Sequence, residues 1–456
     1  MDSEKFMTHT LRATPWGGKI ARVLAAGLQA VEPFQAVMGN ITLDGEEFIL
    51  GERRYDLAEI GKIYVVGAGK AGLPMTRAVL DVLRERVSRG LVVVKQDHAE
   101  GCTQVGPVKI IEAGHPVPDE RGLQAAQEML ALLESAAEHD LVIVLISGGG
   151  SALLAAPLPG IRLDELKTFT GLMISSGAAI EEINLLRIQL DQLKGGGLAA
   201  AAAPAQTASL ILSDVVGDRL DMIASGPTVL PAEAGLHPWE IIKKYRLAKQ
   251  LPSSIESILK EGGSSENHLN LKTSRPPKIP VPYNHIVGNN EIAALAAAAQ
   301  ARREGMASKL LTTSLVGEAR QAGLELAGSL RRMALSGQPL ARPAMLVAGG
   351  ETTVTLRGTG VGGRNQELAL AAVEALAGLP NIALVTLATD GGDGSSPAAG
   401  AVVSGETLER AAAKGLHPGD YLENNDSYTF FSLLEDCLIP GPTRTNVNDL
   451  SFLFSF

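Results

Sequence analysis

KIYVVGAGKAG, residues 62–72, is a short apolar run that breaks into three glycines, Gly67, Gly69 and Gly72, with Lys70 inside the turn. LPMTRAVLDVLRERV (73–87) follows with the 3.6-residue apolar period of a helix. A buried strand, a glycine turn and a helix form the repeating unit of a parallel α/β sheet. The pattern recurs outward from there. GLVVVK (90–95), LVIVLI (141–146) and SLILSD (209–214) read as strands, with a helix at 121–136 between the first two. Residues 17–38 read as an amphipathic helix. Beyond residue 283 the alternation resumes. NHIVG (284–288), AMLVAGG (344–350), IALVTLATD (382–390) and GAVVS (400–404) are expected strands, and 290–305 an Ala-rich helix.

The fold expected is α/β, with two Rossmann-like three-layer domains and mostly parallel sheets. Composition agrees. The chain has 456 residues, 45% apolar and only 4% aromatic, so its cores must be built from Ala, Val, Leu and Ile. Residues 252–282 are rich in Ser, Pro, Gly and charge, which places a linker at 266–282 between domains at 1–265 and 283–456. The apolar ending NDLSFLFSF (448–456) is expected to dock as a strand or helix.

A net charge of −10, with no Lys/Arg block, argues against a nucleic-acid partner. No apolar run approaches the roughly 20 residues of a membrane span. Two distant cysteines, Cys102 and Cys437, make neither a disulfide framework nor a metal spacing. The leading residues lack the apolar core of a signal peptide. A cytoplasmic protein is expected, and a homodimer is compatible with the sequence.

In open α/β sheets ligands bind beyond the carboxyl ends of strands, and five polar glycine clusters fall at such ends. Gly67–Gly72 satisfies G-x-G-x-x-G. The next strand, however, ends in Lys95-Gln96-Asp97, not in the acidic residue a dinucleotide ribose requires. Lys70 suits a phosphate better, and a plain tight turn is the alternative. Ser147-Gly148-Gly149-Gly150-Ser151 can form an anion nest or a flexible loop with Ser151 as an N-cap. Asp214 and Asp218, on the loop before Ser225-Gly226-Pro227-Thr228, could hold Mg²⁺ or orient a hydroxyl, or simply form turns. Gly360-Val361-Gly362-Gly363-Arg364-Asn365-Gln366-Glu367 presents an arginine at a helix start, suited to a carboxylate or phosphate. Asp390 and Asp393, within Thr389-Asp390-Gly391-Gly392-Asp393-Gly394, are metal candidates or turn residues. His115, in Gly114-His115-Pro116, reads as a loop histidine before a catalytic base. Walker, kinase H-R-D, zinc and G-x-S-x-G signatures are absent from the sequence.

Ten segments, including KIYVVGAGKAG, LISGGGSALL, EEINLLRIQLDQLKGGGLA, SLILSDVVGDRLDMIASGPT, VAGGETTVTLRGTGVGGRNQELAL and TLATDGGDG, together resemble the glycerate 2-kinase family. That family pairs an N-terminal glycerate-kinase-type domain with a C-terminal MOFRL domain, and the resemblance spans nearly the whole chain in order. It implies an active site in an inter-domain cleft and ATP-dependent phosphorylation of D-glycerate to 2-phosphoglycerate with Mg²⁺. It also implies important roles for Lys70 and Arg364. Some members carry a hydroxypyruvate reductase label, so an NAD(P)H-dependent reductase is the runner-up and a non-catalytic metabolite-binding protein the third reading.

On this reading Gly67, Gly69, Gly148, Gly149, Gly150 and Ser151 cradle nucleotide phosphates. Lys70, Arg364 and Asp214 are catalytic, and Arg187, Lys194 and Asn365 bind substrate. Asp218, Asp390 and Asp393 hold metal. The chain departs from the family pattern at Ile188, Gln189 and Gly197, where basic residues are usual, and at Ser396-Pro397 after the Asp393 turn.

Overall fold

A computed structural model describes residues 1–230, 237–261 and 279–456. The expected linker at 266–282 therefore lies outside the described residues for most of its length.

The described chain divides into two compact units. The first comprises Pro33–Ser213 and Asp218–Val287, and the second Met1–Glu32, Asp214–Gly217 and Gly288–Phe456. The division expected from composition differs in that the opening helices pack with the second unit. The reason is a close approach of small residues. A Cβ on Gly27, in the helix Gly17–Ala30, would lie 3.3 Å from the Ala297 methyl and 3.2 Å from the Ala293 carbonyl oxygen. The Ala-rich helix Asn290–Arg303 thus serves as a smooth packing face, burying Ala293, Ala294, Ala297, Ala298 and Ala301. The helix expected at 17–38 ends at Ala30 and restarts at Pro33, because proline is tolerated only in a first helical turn.

In the first unit, strands β1 (Ile41–Asp44), β2 (Glu47–Leu50) and β3 (Arg53–Asp56) form a small antiparallel sheet. The main sheet contains β4 (Ile63–Ala68), β5 (Val87–Lys95), β6 (Gln104–Val105), β7 (Val108–Ala113), β8 (Leu141–Ile146), β9 (Gln206–Leu212) and β10 (Tyr283–Gly288). Its order among the described residues is β10-β9-β8-β4-β5-β7-β6. The pairings β9–β8–β4–β5–β7 are all parallel, and β6 is an antiparallel edge. β4 and β8 are buried at every residue, the signature of central parallel strands covered on both faces. The helix after β4 stops at Leu83 rather than reaching 87. Arg84 takes a positive φ of 48°, a single 3-10 turn follows over Arg84–Arg86, and β5 begins at Val87.

The second unit holds β11 (Ala307–Leu315), β12 (Ala344–Gly350), β13 (Ile382–Ala388), β14 (Gly400–Ser404), β15 (Cys437–Leu438) and β16 (Asp449–Ser455). The order is β11-β12-β16-β13-β14-β15. β11 and β12 are parallel, while β16 runs antiparallel to both β12 and β13. The apolar ending does dock as a strand, in the middle of the sheet. Ring stacking of Trp16 on Phe456 at 4.9 Å holds the opening helices against it. This sheet is mixed rather than mainly parallel, because the β14 and β15 pairings are antiparallel as well. No helix among the described residues is long and apolar enough to cross a membrane.

Candidate functional site

In the first unit the ends of the adjacent strands β4 and β8 bring two glycine loops together. The Lys70 N–H donates to the Gly148 carbonyl at 2.9 Å, and the Ala71 N–H to Ser147 Oγ at 3.0 Å. The loops fit only without side chains. A Cβ on Gly67 would lie 2.1 Å from the Leu145 carbonyl oxygen. Gly149 has φ +85°, and a Cβ there would lie about 3 Å from His115, at 2.9 Å from Cδ2 and 3.0 Å from Nε2. Gly69, Gly148 and Gly150 complete the same cradle, with Gly150 N–H donating to the Ser147 carbonyl at 3.2 Å. The Lys70 ammonium has neither a hydrogen-bond nor an ion-pair partner among the described residues. A half-buried cation left unengaged beside an open turn is suited to an incoming anion.

Ser151 is tied down instead of free. Its hydroxyl meets Ser225 Oγ at 2.8 Å, and Ser225 in turn donates to Asn184 Oδ1. Asn184 Nδ2 then donates to the Asp221 carbonyl at 3.1 Å. The supporting loop is strained, because Ala224, Ser225 and Gly226 have φ of 50°, 63° and 58°. Successive non-glycine residues in the left-handed region persist only where the surroundings hold them, and such strain gathers at functional sites. Sequence reasoning missed Ser225 and Asn184. Their only signal was the polar SGPT turn beside a glycine loop.

Of the expected substrate residues in this unit, Lys194 is buried and pairs with the buried Asp191 at 2.6 Å while donating to the Leu154 carbonyl at 2.9 Å. Burial opposes the Asp191 charge. The Lys194 ammonium and the N–H groups of Leu193 and Ala156 nonetheless bring its pKa below the usual range. The structure therefore places Lys194, one of the expected substrate residues, in a buried ion pair with Asp191. Arg187 is different. Burial lowers its pKa, and no carboxylate faces it among the described residues. A largely buried guanidinium without a counter-ion is costly unless a ligand supplies one. Ile188, at a family departure, packs over Gly195, whose Cβ would lie 2.4 Å from its methyl. Gly197 opens the helix Gly197–Ala202.

In the second unit Arg364 starts the helix Arg364–Leu376. It holds Asp449 through Nε at 2.5 Å and Nη2 at 3.1 Å, and Glu351 through Nη1 at 3.0 Å. Burial works against the Arg364 charge, but the Asp449 hydrogen bond and the carboxylates of Asp449, Glu351 and Asp393 raise its pKa further. Burial pushes Asp449 up to about 6 against the pull of Arg364. Three of the guanidinium's five N–H donors are engaged, which leaves one on Nη1 and one on Nη2. Arg364 lines an open recess of about 680 Å³ with Gly360, Gly362, Gly363, Thr352 and Ser395. Asn448 braces the rim, donating to Glu351 at 2.9 Å and to the Asp214 carbonyl at 2.8 Å.

Asp393 is buried and caps the Arg364 helix. It accepts from the Asn365 and Gln366 N–H groups at 3.2 and 2.9 Å and from the Gln366 amide at 3.0 Å. Burial raises its pKa against these donors. The structure places this expected metal residue as a cap on the start of that helix. Asn365, an expected substrate residue, is likewise buried, with its amide between Asp393 and Asp449. Ser396, at the other departure, accepts from Gln366 at 2.6 Å, and Pro397 is exposed. Asp390 is exposed and uses one oxygen in a turn with the Gly392 N–H at 3.1 Å. Among the described residues no three His, Cys, Asp or Glu side chains gather as a metal cage. Asp214 belongs to the second unit and Asp218, with φ 52°, to the first.

Residues 19–260 match the family model described as "Domain of unknown function (DUF4147)", and residues 344–449 match the MOFRL family. The chain is 40% identical over 86% of its length to D-glycerate 2-kinase of Thermotoga maritima, covering 90% of that protein. It is 37% identical over 94% of its length to glycerate 2-kinase of Pyrococcus horikoshii, covering 95%. It is also 39% identical over 86% of its length to a putative hydroxypyruvate reductase of Agrobacterium vitis, covering 98%. The crystal structure of glycerate kinase from Thermotoga maritima superposes with a TM-score of 0.85 at 36% identity, covering 96% of this chain and 99% of that one.

Proposed function

The chain belongs to the glycerate 2-kinase family, and on that premise we propose that it transfers the terminal phosphoryl group of ATP to the 2-hydroxyl of D-glycerate. The observation that carries this reading is the double glycine loop with the unengaged Lys70 ammonium at its mouth. Phosphoryl transfer asks the protein for placement and charge neutralisation more than for covalent chemistry. The 2-hydroxyl oxygen forms the new P–O bond, the bond to the bridging oxygen of ADP breaks, and the hydroxyl proton leaves to a base. Gly67, Gly69 and Gly148–Gly150 let phosphate oxygens approach the backbone, Lys70 offsets their charge, and Asp214 is the proposed proton acceptor. Arg187, with no carboxylate opposite it, and the two free N–H groups of Arg364 are the proposed holders of carboxylate or phosphoryl oxygens.

Mg²⁺ binds through one or two carboxylates plus substrate phosphates and waters, so the proposed ion asks for no carboxylate cage from the protein. Asp390, with one oxygen unused, is the proposed protein ligand in the second unit, and Asp218 is a separate candidate in the first. The ion would supply charge neutralisation on the phosphate oxygens.

The reductase name of the Agrobacterium vitis relative is the second reading. A nicotinamide dinucleotide wants a carboxylate at the tip of β5, and this chain has Lys95 and Gln96 there. The test is product analysis with MgATP and D-glycerate, run beside NAD(P)H and hydroxypyruvate. ADP and 2-phosphoglycerate in equal amounts support the kinase. Cofactor oxidation without ADP would overturn it.

A further inference from the structure

His115 lies on the segment after β7, and its Cδ2–Nε2 edge faces Gly149, within about 3 Å of where a Cβ would stand. The same point is 3.6 Å from Lys70 Cγ, so the imidazole edge and the lysine stem flank one glycine of the nest from two directions. His115 is half-buried and has no hydrogen-bond partner among the described residues. A buried imidazole normally finds a partner for each ring nitrogen. Lys70 also engages this corner through its backbone, since its carbonyl meets His98 Nδ1 at 3.0 Å.

The charged groups around the ring are of one sign. Burial lowers the His115 pKa to about 4, and Lys70, Lys95 and His98 push it down with it, with no carboxylate acting in the other direction. Asp119, the N-cap of the following helix, is occupied by Arg121 and by the Gly122 N–H at 3.0 Å. Glu112 on β7 accepts from the Ala99 N–H at 3.0 Å. Lys70, His98 and His115 thus meet beside the Gly149 turn, and Lys95 acts on the same imidazole. Such a cluster is stabilised by an anion of high charge density.

We propose that His115 is a further substrate-contacting residue, which donates from Nε2 to a phosphate oxygen of the bound nucleotide and takes up a proton as that phosphate enters. The inference rests on the kinase reading, because it needs nucleotide phosphates in the double glycine loop. The incoming negative charge offsets Lys70, Lys95 and His98, so the imidazolium becomes the favoured form. Proton uptake distinguishes this role from simple packing, since a histidine that only fills space would not change protonation on binding.

The experiment is calorimetric titration of the full-length protein with a non-hydrolysable ATP analogue plus Mg²⁺, near pH 7. Two buffers of different protonation enthalpy give the protons taken up per site. The expected result is net uptake by the wild type that is lost in His115→Gln. The KM for MgATP of that variant should rise about 10-fold or more, the usual effect of losing a hydrogen bond to a charged group. Unchanged proton uptake in His115→Gln, or nucleotide binding by the wild type with no uptake, would overturn the proposal while leaving the kinase reading intact. Failure of the wild type to bind nucleotide at all would overturn both. Should His115→Gln not fold, His115→Asn and the wild-type uptake itself decide.

Discussion

Arg364 and Asp449 lie 85 residues apart in the chain and meet through two parallel N–H···O contacts, Nε at 2.5 Å and Nη2 at 3.1 Å. The pair fixes the first residue of a helix to the first residue of β16, the strand at the centre of its sheet. Its fork geometry also sets the direction of the two N–H groups left over, which are the ones available to a ligand.

Arg364→Lys keeps the charge but not the fork. It should lower kcat/KM for glycerate phosphorylation by about 10²-fold or more, the scale of losing a preorganised charge contact. Removing one partner of a buried pair costs about 3–5 kcal/mol, and less here because Arg364 is one-third exposed. A thermal melt beside steady-state kinetics checks both parts. Full activity in Arg364→Lys would exclude Arg364 from the reaction.

Lys70→Ala should lower kcat by about 10²–10³-fold. Its ammonium holds no structural partner among the described residues. The melting temperature should therefore stay close to that of the wild type, and near-normal turnover would remove Lys70 from the mechanism.

Gly149→Ala meets two penalties. The left-handed backbone at φ +85° costs an alanine about 1–2 kcal/mol, and its Cβ would press on the His115 ring. The variant should be measurably less stable and should bind nucleotide more weakly. Denaturant unfolding and nucleotide titration test the two separately.

Ser225→Ala leaves the Asn184 Oδ1 and Ser151 hydroxyl contacts without their shared partner. The expected destabilisation is about 1–3 kcal/mol. An unchanged unfolding midpoint would show that the strained loop is held by other contacts.

Two groups should shape the acid limb of stability in opposite senses. His115 titrates near 4 when folded, below its ordinary 6.5, so its contribution is present above 6.5 and is lost as pH falls through 4. Asp449 titrates near 6, above its ordinary 3.8, so its contribution is full below 3.8 and is lost as pH rises through 6. Between pH 4 and 6 the stability of His115→Gln should fall less steeply with acid than that of the wild type, and that of Asp449→Asn more steeply. Melting temperatures across that range give both slopes.

The sequence made the central strands legible because burial on both faces leaves an uninterrupted apolar run, as at Ile63–Ala68, Leu141–Ile146 and Ile382–Ala388. It hid β11, where the exposed Lys309 and the partly exposed Thr312 and Thr313 interrupt the run. It also hid the attachment of the opening helices to the second unit, which depends on Gly27 meeting Ala297 across 270 positions. Lys70 and Arg364 were visible as cations on glycine loops. Asp449 was not, because it sits in an apolar ending and acquires its role only through the fold. Asp393 and Lys194 showed the reverse. Their residue types suggested a ligand, and the fold buries Asp393 at a helix start and Lys194 against Asp191, contacts that the sequence did not show.

β12 and β13 touch no common edge of their own, and each is hydrogen-bonded to β16. The ribosome makes β16 after every other strand of that sheet, so during synthesis the sheet waits as two unjoined halves. A nascent chain that stops short of Asp449 has two open strand edges facing each other with nothing to bridge them, and such edges invite pairing with other chains. Placing the sheet's last-made strand in its middle makes the synthesis of β16 the event that joins the two halves of this sheet.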